Sequence, residues 1–594
     1  MRLSYLFMCA VLVLPGMGSA FEFSVSGATT PEIESTVSDA SLLAQLNAEG
    51  DDNTQDIVAA ARADYQRVVG ALYSLGYFGP TVSITLDGRE ASAVSPLSAP
   101  SSVETVSIKV NAGPIFHFGR ANITPLAPKT QIPETFRSGE LAQISAIRSA
   151  SDAAISAWRD AGHAKAELGA QQITAQHPQE QLNVDLQLEQ GPRLTFGRLI
   201  VKGNEAVRTE RIHDIAGLPE GTVFSPAELR RAATRLRRTG TFRVAALAEA
   251  ETYNPDLSLD IEAQITENPP RRFGFGADIS TQEGLGLSAY WLHRNLFGGA
   301  ERLRVDAEYS GIGGDTGGED FLIGVRFDRP ATFNEDTDFY ALAEIESLDE
   351  ENFSTDQANI EIGIRRYASE KREYNFGIGL RTADTSDAFG DRSYTLLTLP
   401  LSASFDDRDN QIDTKDGTFI SASVTPFVGL RGSDDGARIF IDTRGFKSFG
   451  TDDRFTFAIR GQLGSLYGAS LSDAPTDFLF YSGGSDTVRG QEYQELGVEL
   501  SNGREVGGRS FLGLSSEVRV KTTESLSVVG FYDVGYIGSE EFPNGSDGTW
   551  HSGAGLGLRY NTGIGPIRLD LGVPVTGPGD QSGFEVYIGI GQAF

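Results

Sequence analysis

From about Arg271 to Phe594 the chain alternates, with short runs that set apolar residues on one face and polar residues on the other. Leu303, Val305, Ala307 and Tyr309 share one face of such a run, and Arg302, Arg304, Asp306 and Glu308 share the other. Phe321, Ile323, Val325 and Phe327 oppose Leu322, Gly324, Arg326 and Asp328, while Ile567, Leu569, Leu571 and Val573 oppose Arg568, Asp570 and Gly572. Successive side chains of a strand point to opposite faces, so these runs read as two-sided strands. A barrel that crosses a membrane needs this period of two in every wall strand, apolar outward and polar inward. A charge on the lipid face costs ~2–4 kcal/mol at mid-depth, so the charged faces are assigned to the lumen. Both signs mix there, which predicts internal ion pairs rather than a strongly selective pore. About 324 residues follow Pro270. At ~9–11 residues per strand plus turns, an even count near 16 fits.

Residues 21–270 have a different rhythm and contain a repeat. Ala112-Gly113-Pro114-Ile115-Phe116-His117-Phe118-Gly119-Arg120 is similar to Gln190-Gly191-Pro192-Arg193-Leu194-Thr195-Phe196-Gly197-Arg198, 78 residues on, and Glu267-Asn268-Pro269-Pro270 follows 77 residues later. A second marker recurs at Gly76-Tyr77-Phe78, Gly162-His163-Ala164 and Gly240-Thr241-Phe242. In the last unit, 196–201 reads as a strand, Gly203-Asn204 as a turn and 208–216 as a helix. Ser225-Pro226-Ala227-Glu228 opens a second helix that runs to Arg238, with Gly240 as its left-handed stop. Leu229, Ala233 and Leu236 fall on one face of that helix, and strands follow at 242–251 and 257–265. The order is βααββ. The first unit is the least regular, with a loop inserted at 91–102.

Composition narrows the setting. Arg2, the apolar run 3–14 and Gly18-Ser19-Ala20 predict a secretory leader over 1–20, too short to span a bilayer. Cys9 and all three methionines (Met1, Met8, Met17) fall inside it, so cleavage leaves a chain with no thiol. The net charge of −31 argues against nucleic acid as a partner. A mean hydropathy of −0.21 with no long apolar helix is what a membrane barrel predicts. Six histidines and no mature cysteine leave few nucleophile or metal constellations, so neither an enzyme nor a cofactor is expected. Gly314-Asp315-Thr316-Gly317-Gly318-Glu319-Asp320 lacks regular calcium-ligand spacing and reads as a solvated loop.

The three repeats resemble POTRA domains, the periplasmic modules of outer-membrane assembly proteins; a generic α+β module is the plainer reading. The segment Ser482-Gly483-Gly484-Ser485-Asp486-Thr487-Val488-Arg489-Gly490-Gln491-Glu492-Tyr493 resembles the Val-Arg-Gly-aromatic loop of the BamA/TamA superfamily. That resemblance implies a loop folded back into the barrel, with the arginine of Val488, Arg489 and Gly490 meeting carboxylates on the inner wall. Glu517 and Asp533 are the candidate partners, because Val518, Val520, Tyr532 and Val534 take the outer face. The family's Phe-x-Asp-x-Gly pattern is intact at Phe531, Asp533 and Gly535, whereas Gln491 stands where the family has an aromatic. Phe405-Asp406-Asp407-Arg408-Asp409-Asn410 resembles another superfamily pattern at a strand–turn–strand and reads as a charged turn. The last strand resembles the β-signal of outer-membrane barrels, with Gln592 in place of the usual apolar residue and Val586, Ile588, Ile590 and Phe594 expected on one face.

The plan is therefore a transmembrane antiparallel β-barrel of about 16 strands preceded by three periplasmic α+β POTRA domains. The expected limits are 1–20 for the signal peptide, 21–113, 114–191 and 192–267 for the three domains, and 268–594 for the barrel. Three units favour the TamA branch of the superfamily. This implies assembly of outer-membrane proteins and autotransporters in the bacterial outer membrane, with a TamB-like periplasm-spanning partner. The clients would be unfolded outer-membrane proteins and autotransporters, and the surroundings lipid and lipopolysaccharide. Rivals are an exporter of one dedicated protein, of the two-partner-secretion type, and a passive channel. For assembly, the first strand (273–280, with Phe273 and Phe275) pairs with the last (583–594, with Gly589, Gly591 and Phe594) at a seam that opens laterally. Glycines put no side chains into that seam and weaken the strand.

Overall fold

The computed structural model describes residues 20–95, 99–280, 284–314, 317–563, 565–578, 583–590 and 592–594. The expected leader with Cys9 and the methionines, the pair Asp315-Thr316 and the seam residue Gly591 lie outside the described residues. The chain divides into two compact units. One comprises 1–198, 219–228 and 250–260; the other comprises 199–218, 229–249 and 261–594.

Three small α/β sheets precede the barrel. The first is built from β1 (Glu22–Ser26), α1 (Pro31–Ala40), α2 (Leu42–Glu49), α3 (Thr54–Ser74), β2 (Thr81–Leu86), β3 (Arg89–Glu90) and β4 (Thr105–Asn111), in sheet order β1-β4-β2-β3. Helix α1 starts where Thr30 accepts the Ile33 N–H at 3.3 Å ahead of Pro31. The fully buried Asp64 carboxylate takes the Ser41 hydroxyl (2.6 Å) and the Leu42 and Leu43 N–H groups (2.9 and 3.1 Å), fixing the start of α2 on α3. The expected inserted loop lies between β3 and β4.

The second sheet departs from the expected βααββ order. It holds β5 (His117–Thr124), α4 (Ile144–Asp160), β6 (Glu167–Gln176) and β7 (Gln181–Glu189), ordered β5-β7-β6, with a single helix. Pro125, Pro128 and Pro133 occupy the stretch where the first helix would sit, and proline removes the N–H that helix propagation needs. The third unit follows the expected order: β8 (Thr195–Lys202), α5 (Thr209–Ala216), α6 (Pro226–Arg238), β9 (Phe242–Glu249) and β10 (Ser258–Glu267), ordered β8-β10-β9. Gly240 takes φ 67° beyond α6, and Ala232, Ala233 and Leu236 are buried.

The barrel is closed and antiparallel, running from β11 (Arg271–Ser280) to a last strand at Glu585–Ile590. Its wall has sixteen strands, because Gly390–Thr398 and Leu401–Asp406 are two halves of one strand, both pairing with Arg372–Asp387 and Gly417–Arg431. The break falls at Leu399-Pro400, where proline has no N–H for the ladder. The assigned faces hold: Phe321, Val325, Ile567, Leu569, Leu571 and Val573 are exposed on the outside, while Asp328 and Asp570 are buried inside. The lumen carries the expected ion pairs. Arg326 meets Asp328 at 3.1 Å, and Arg444 and Arg460 share Asp442 at 3.0 and 2.8 Å.

The chain end departs from expectation. The last strand stops at Ile590, and Phe594 does not join Val586 and Ile588 on the outer face. Its ring lies 6.4 Å from that of Phe446 and 5.9 Å from the Arg519 guanidinium, inside the barrel. Gln592 explains the turn inward. Its side chain accepts from Arg559 Nε (3.0 Å) and donates to Asp413 (2.9 Å), bonds that a lipid-facing amide would forfeit.

Helices α5 and α6 rest on turns at the end where β11 enters. Arg235 grips Asp336 with Nε at 2.9 Å and Nη2 at 2.7 Å, Arg211 donates to the Pro330 carbonyl at 2.6 Å, and the Arg238 guanidinium stacks 3.6 Å from the Tyr367 ring. Arg235 also donates to the Ala216 and Gly217 carbonyls, so it ties both helices to one turn. Arg235→Ala is expected to cost ~1–3 kcal/mol by leaving those acceptors unpaired. Limited proteolysis should then cut within 209–240, while the heat-modifiable electrophoretic mobility of the barrel stays unchanged.

Candidate functional site

The long connection between strands Phe455–Tyr467 and Ser510–Lys521 folds into the barrel. Its first part brings apolar side chains inward. Phe478, Leu479 and Phe480, joined by Leu496 from farther along the loop, pack on wall residues that include Phe427 and Phe511 in one buried cluster. The rings of Phe440, Phe480 and Phe511 stack at 6.1–6.5 Å. A polar anchor accompanies them. Asp477 takes Arg381 and the Tyr394 hydroxyl (2.5 Å), and Thr476 donates to Asp387 at 2.9 Å. The sequence did not single out this anchor, because its wall residues look like any lumen polar position.

The next part places Val488, Arg489 and Gly490. Gly483 takes φ 124°, and the Thr487 hydroxyl closes the turn by bonding both the N–H (2.8 Å) and the carbonyl (2.9 Å) of Gly483. Ser482 is pinned to His551 Nε2 at 2.7 Å. Val488 is fully buried and Arg489 is only 2 % exposed. The Arg489 fork meets Asp533 with Nε at 2.7 Å and Nη2 at 3.0 Å, and its backbone N–H reaches the same carboxylate at 3.2 Å. Nη1 donates to Glu517 at 2.7 Å and to Asp570 at 3.4 Å. Both expected partners are therefore in contact, and Asp570 is a third that the alternation placed in the lumen but did not join to the loop.

The surroundings balance the charge. Arg519 pairs with Glu517 at 2.8 Å, and Arg559 holds Asp570 with Nη1 and, at 3.1 Å, with Nη2. Three guanidiniums thus face three carboxylates in an enclosed cluster. A guanidinium suits this place because its planar fork binds carboxylates bidentately and stays charged when enclosed. The Phe531 ring lies 3.8 Å from the Arg489 guanidinium carbon, a cation–π contact. The Phe-x-Asp-x-Gly pattern then has one physical reason per letter. Phe531 supports the cation, Asp533 grips it, and Gly535 leaves room, since a Cβ there would sit 2.2 Å from Ser482 Oγ and 2.8 Å from Val488 Cγ2.

Glycines also let the loop backbone lie against the wall. A Cβ on Gly553 would meet the Arg489 carbonyl at 2.0 Å, and one on Gly490 (φ 91°) would meet the Val573 backbone at 2.6 Å. Gln491 replaces ring packing by hydrogen bonds, its buried amide donating to the Ser552 and Thr576 carbonyls at 2.6 and 2.9 Å. The Gly490 N–H donates to the Tyr587 hydroxyl at 3.1 Å. Through Glu517, Asp533, Ser552, Asp570 and Tyr587, residues 489–491 touch each of the last five strands.

The seam lies beside this staple. Strand β11 pairs with its other neighbour at ten positions, from Arg271 to Ser280. Against the last strand it pairs, among the described residues, at two, Ile279 with Ile588 and Ser280 with Tyr587. Residues 271–278 have no partner on that side among the described residues. Phe273 and Phe275 are 63 % and 85 % exposed there. Gly589 pairs with Arg568 on the preceding strand, and a Cβ on it would lie 3.1 Å from Arg568 Nε; it has no partner on β11. Among the described residues no group of three or more His, Asp or Glu is gathered as for a metal ion.

The profile of the Omp85 superfamily domain matches residues 295–594, and a POTRA profile described as "Surface antigen variable number repeat" matches 194–268. Two curated proteins of similar sequence carry the name "Outer membrane protein assembly factor BamA". The one from Nitratidesulfovibrio vulgaris is 24% identical over 460 residues, covering 74% of this chain and 56% of the relative. The one from Neorickettsia risticii is 21% identical over 522 residues, covering 80% and 65%. The chain thus spans less than two thirds of either relative. The solved structure of BamA from Haemophilus ducreyi lacking POTRA domains 1–3 superposes with a TM-score of 0.61 at 15% identity, over 80% of this chain and 100% of that one. That likeness bears on the fold.

Two substitutions test the seating of the loop separately from its charge. Arg489→Ala leaves Glu517, Asp533 and Asp570 short of one cation, a loss of ~3–5 kcal/mol for an enclosed pair. Gly490→Ala keeps the charge but drives a methyl into the Val573 backbone. Both are expected to expose residues 484–494 to protease in a barrel that still shows heat-modifiable mobility, with Arg489→Lys intermediate. A cleavage pattern like that of the parent in both variants would contradict the seating.

Proposed function

The chain belongs to the Omp85 superfamily, its barrel lies in an outer membrane with POTRA units in the periplasm, and from that premise we propose that it assembles other outer-membrane proteins by opening laterally at the β11 seam. The carrying observation, among the described residues, is the seam's two paired positions against ten on the other side of the same strand. The edge of 271–278, unpaired among those residues, offers backbone donors and acceptors to an incoming client strand. Backbone pairing tolerates many client sequences. The curated relatives' name, outer-membrane protein assembly factor, supports the same reading.

The loop has a part in this reading. It binds the last five strands to one another, so they move as a body when β11 separates from the last strand. The inward turn of 592–594 draws the end of that strand away from the wall and keeps the β11 edge open. No enzymatic step is assigned; client folding and burial in lipid supply the drive. The apolar cluster of the loop fills part of the lumen, which disfavours a passive channel.

The finer assignment is also a proposal. Three sheets before the barrel favour the TamA branch, with a TamB-like periplasm-spanning partner, autotransporters among the clients, and domain limits near 113, 191 and 267.

The test is a disulfide across the seam. Ile279 and Ile588 are directly paired, and opposite strand positions bring Cβ atoms ~4.5–5.5 Å apart, close to disulfide reach. Ile279→Cys with Ile588→Cys, oxidised in reconstituted vesicles, is expected to abolish insertion of a client barrel, and dithiothreitol to restore it. Full insertion by the locked protein would rule out lateral opening.

A further inference from the structure

We infer that the outer wall at strands Ser354–Ser369 and Arg372–Asp387 carries a binding site for an anionic phospholipid of the periplasmic leaflet. The inference rests on the barrel's place in the membrane and not on its assembly role.

The site is a column of outward side chains with a cationic base. Ile360, Ile362 and Ile364 on one strand lie beside Leu380, Ile378 and Phe376 on the next, in direct register, and Ile360, Ile362, Phe376 and Ile378 are strongly exposed. Toward the periplasmic end the column closes with Arg366, which pairs with Tyr374, and with Arg372, the diagonal neighbour of Arg366. Both arginines are exposed on the same outward face, as their parity with Ile364 and Phe376 requires. Arg329 adds a third outward cation two strands away, level with Ile364 through Phe339.

Charge sets these residues apart from their paired neighbours. Lys371 beside them binds Asp407, and Lys447 on the same rim binds Asp416 at 2.5 Å. Arg365, one residue from Arg366 but facing inward, pairs with Glu373 at 3.0 Å. Among the described residues, Arg366, Arg372 and Arg329 have no carboxylate within ion-pair distance. In a protein of net charge −31, three outward guanidiniums left without anions, at the foot of an apolar column, match a phosphodiester headgroup with its acyl chains along the isoleucines. The rim is also held in place, because the turn after Arg366 carries the contacts with α6, Arg238 on Tyr367 and Thr234 to Glu370 at 3.3 Å. That helix is the most basic segment of the chain, with Arg230, Arg231 and Arg237 exposed.

The experiment uses the full chain in nanodiscs of phosphatidylcholine with a minor share of phosphatidylglycerol, extracted and weighed with its retained lipid by native mass spectrometry. The parent is expected to retain phosphatidylglycerol in preference, and excess soluble glycerol phosphate not to displace it. Arg366→Gln with Arg372→Gln should lower the preference roughly thirtyfold, as the loss of two interfacial cations at about 1 kcal/mol each implies. Lys447→Gln, which removes a paired cation from the same rim, should leave it unchanged. If the double variant does not fold, each single variant should lower the preference by a smaller factor. An unchanged preference in folded arginine variants, an equal fall with Lys447→Gln, or displacement by glycerol phosphate would each overturn the site.

Discussion

One guanidinium enclosed by three carboxylates fixes the interior of this barrel. Removing Arg489, Glu517, Asp533 or Asp570 from water is unfavourable for each alone, and becomes tolerable only when all are present with good geometry. The cluster is therefore all-or-none. It forms when the loop is seated and the last five strands stand in register, because its members come from both. Arg519 and Arg559 complete the balance, and Phe531 offers the cation an aromatic face where water is excluded. A loop that would otherwise be a loose surface connection becomes part of the wall's cohesion.

The same logic separates the two sides of the seam. The wall strands between β11 and the last strand are laddered to both neighbours, as a membrane requires. Strand β11 is laddered to one neighbour and, among the described residues, pairs at two positions with the last strand. The stapled strands end beside this gap, and the Gly490–Tyr587 bond carries the staple to the seam strand itself. The chain end reinforces the asymmetry, since Gln592 and Phe594 are engaged inside the lumen and are not available to extend the ladder. Rigidity on one side and an edge with few pairs on the other are what the proposed lateral opening draws on.

Much of this was legible in the letters, and the reasons for the rest are physical. Period-two alternation named the lumen faces of Arg326, Glu517, Asp533 and Asp570, because lipid forbids charge on the other side. The wall count came from strand length alone. The Val488-Arg489-Gly490 segment and its partners Glu517 and Asp533 were readable as a resemblance, and the structure places Arg489 in contact with both carboxylates. Asp570 as a third partner was not, since alternation gives a face but not which lumen residues meet across the interior. The glycine slot at Gly535 and Gly553 was hidden too, because a glycine in a strand has several explanations until the opposing atom is known. Phe594 was misassigned by extending parity past Ile590; the polar Gln592, already noted as unusual, was the sign that the strand had ended. In the second periplasmic unit, three prolines were the unread signal against a first helix.

Hydrogen exchange of the full chain in lipid tests the enclosed clamp most directly. Amides 488–491 sit in a connecting loop by sequence but in the wall's interior by geometry, so the two descriptions differ in opening free energy. With the clamp enclosed, these amides are expected to be protected to the same degree as those of strands Ser510–Lys521 and Gly565–Thr576. Exchange as fast as that of the exposed turn 501–504, between the paired segments Val498–Glu499 and Glu505–Val506 of the same loop, would contradict it.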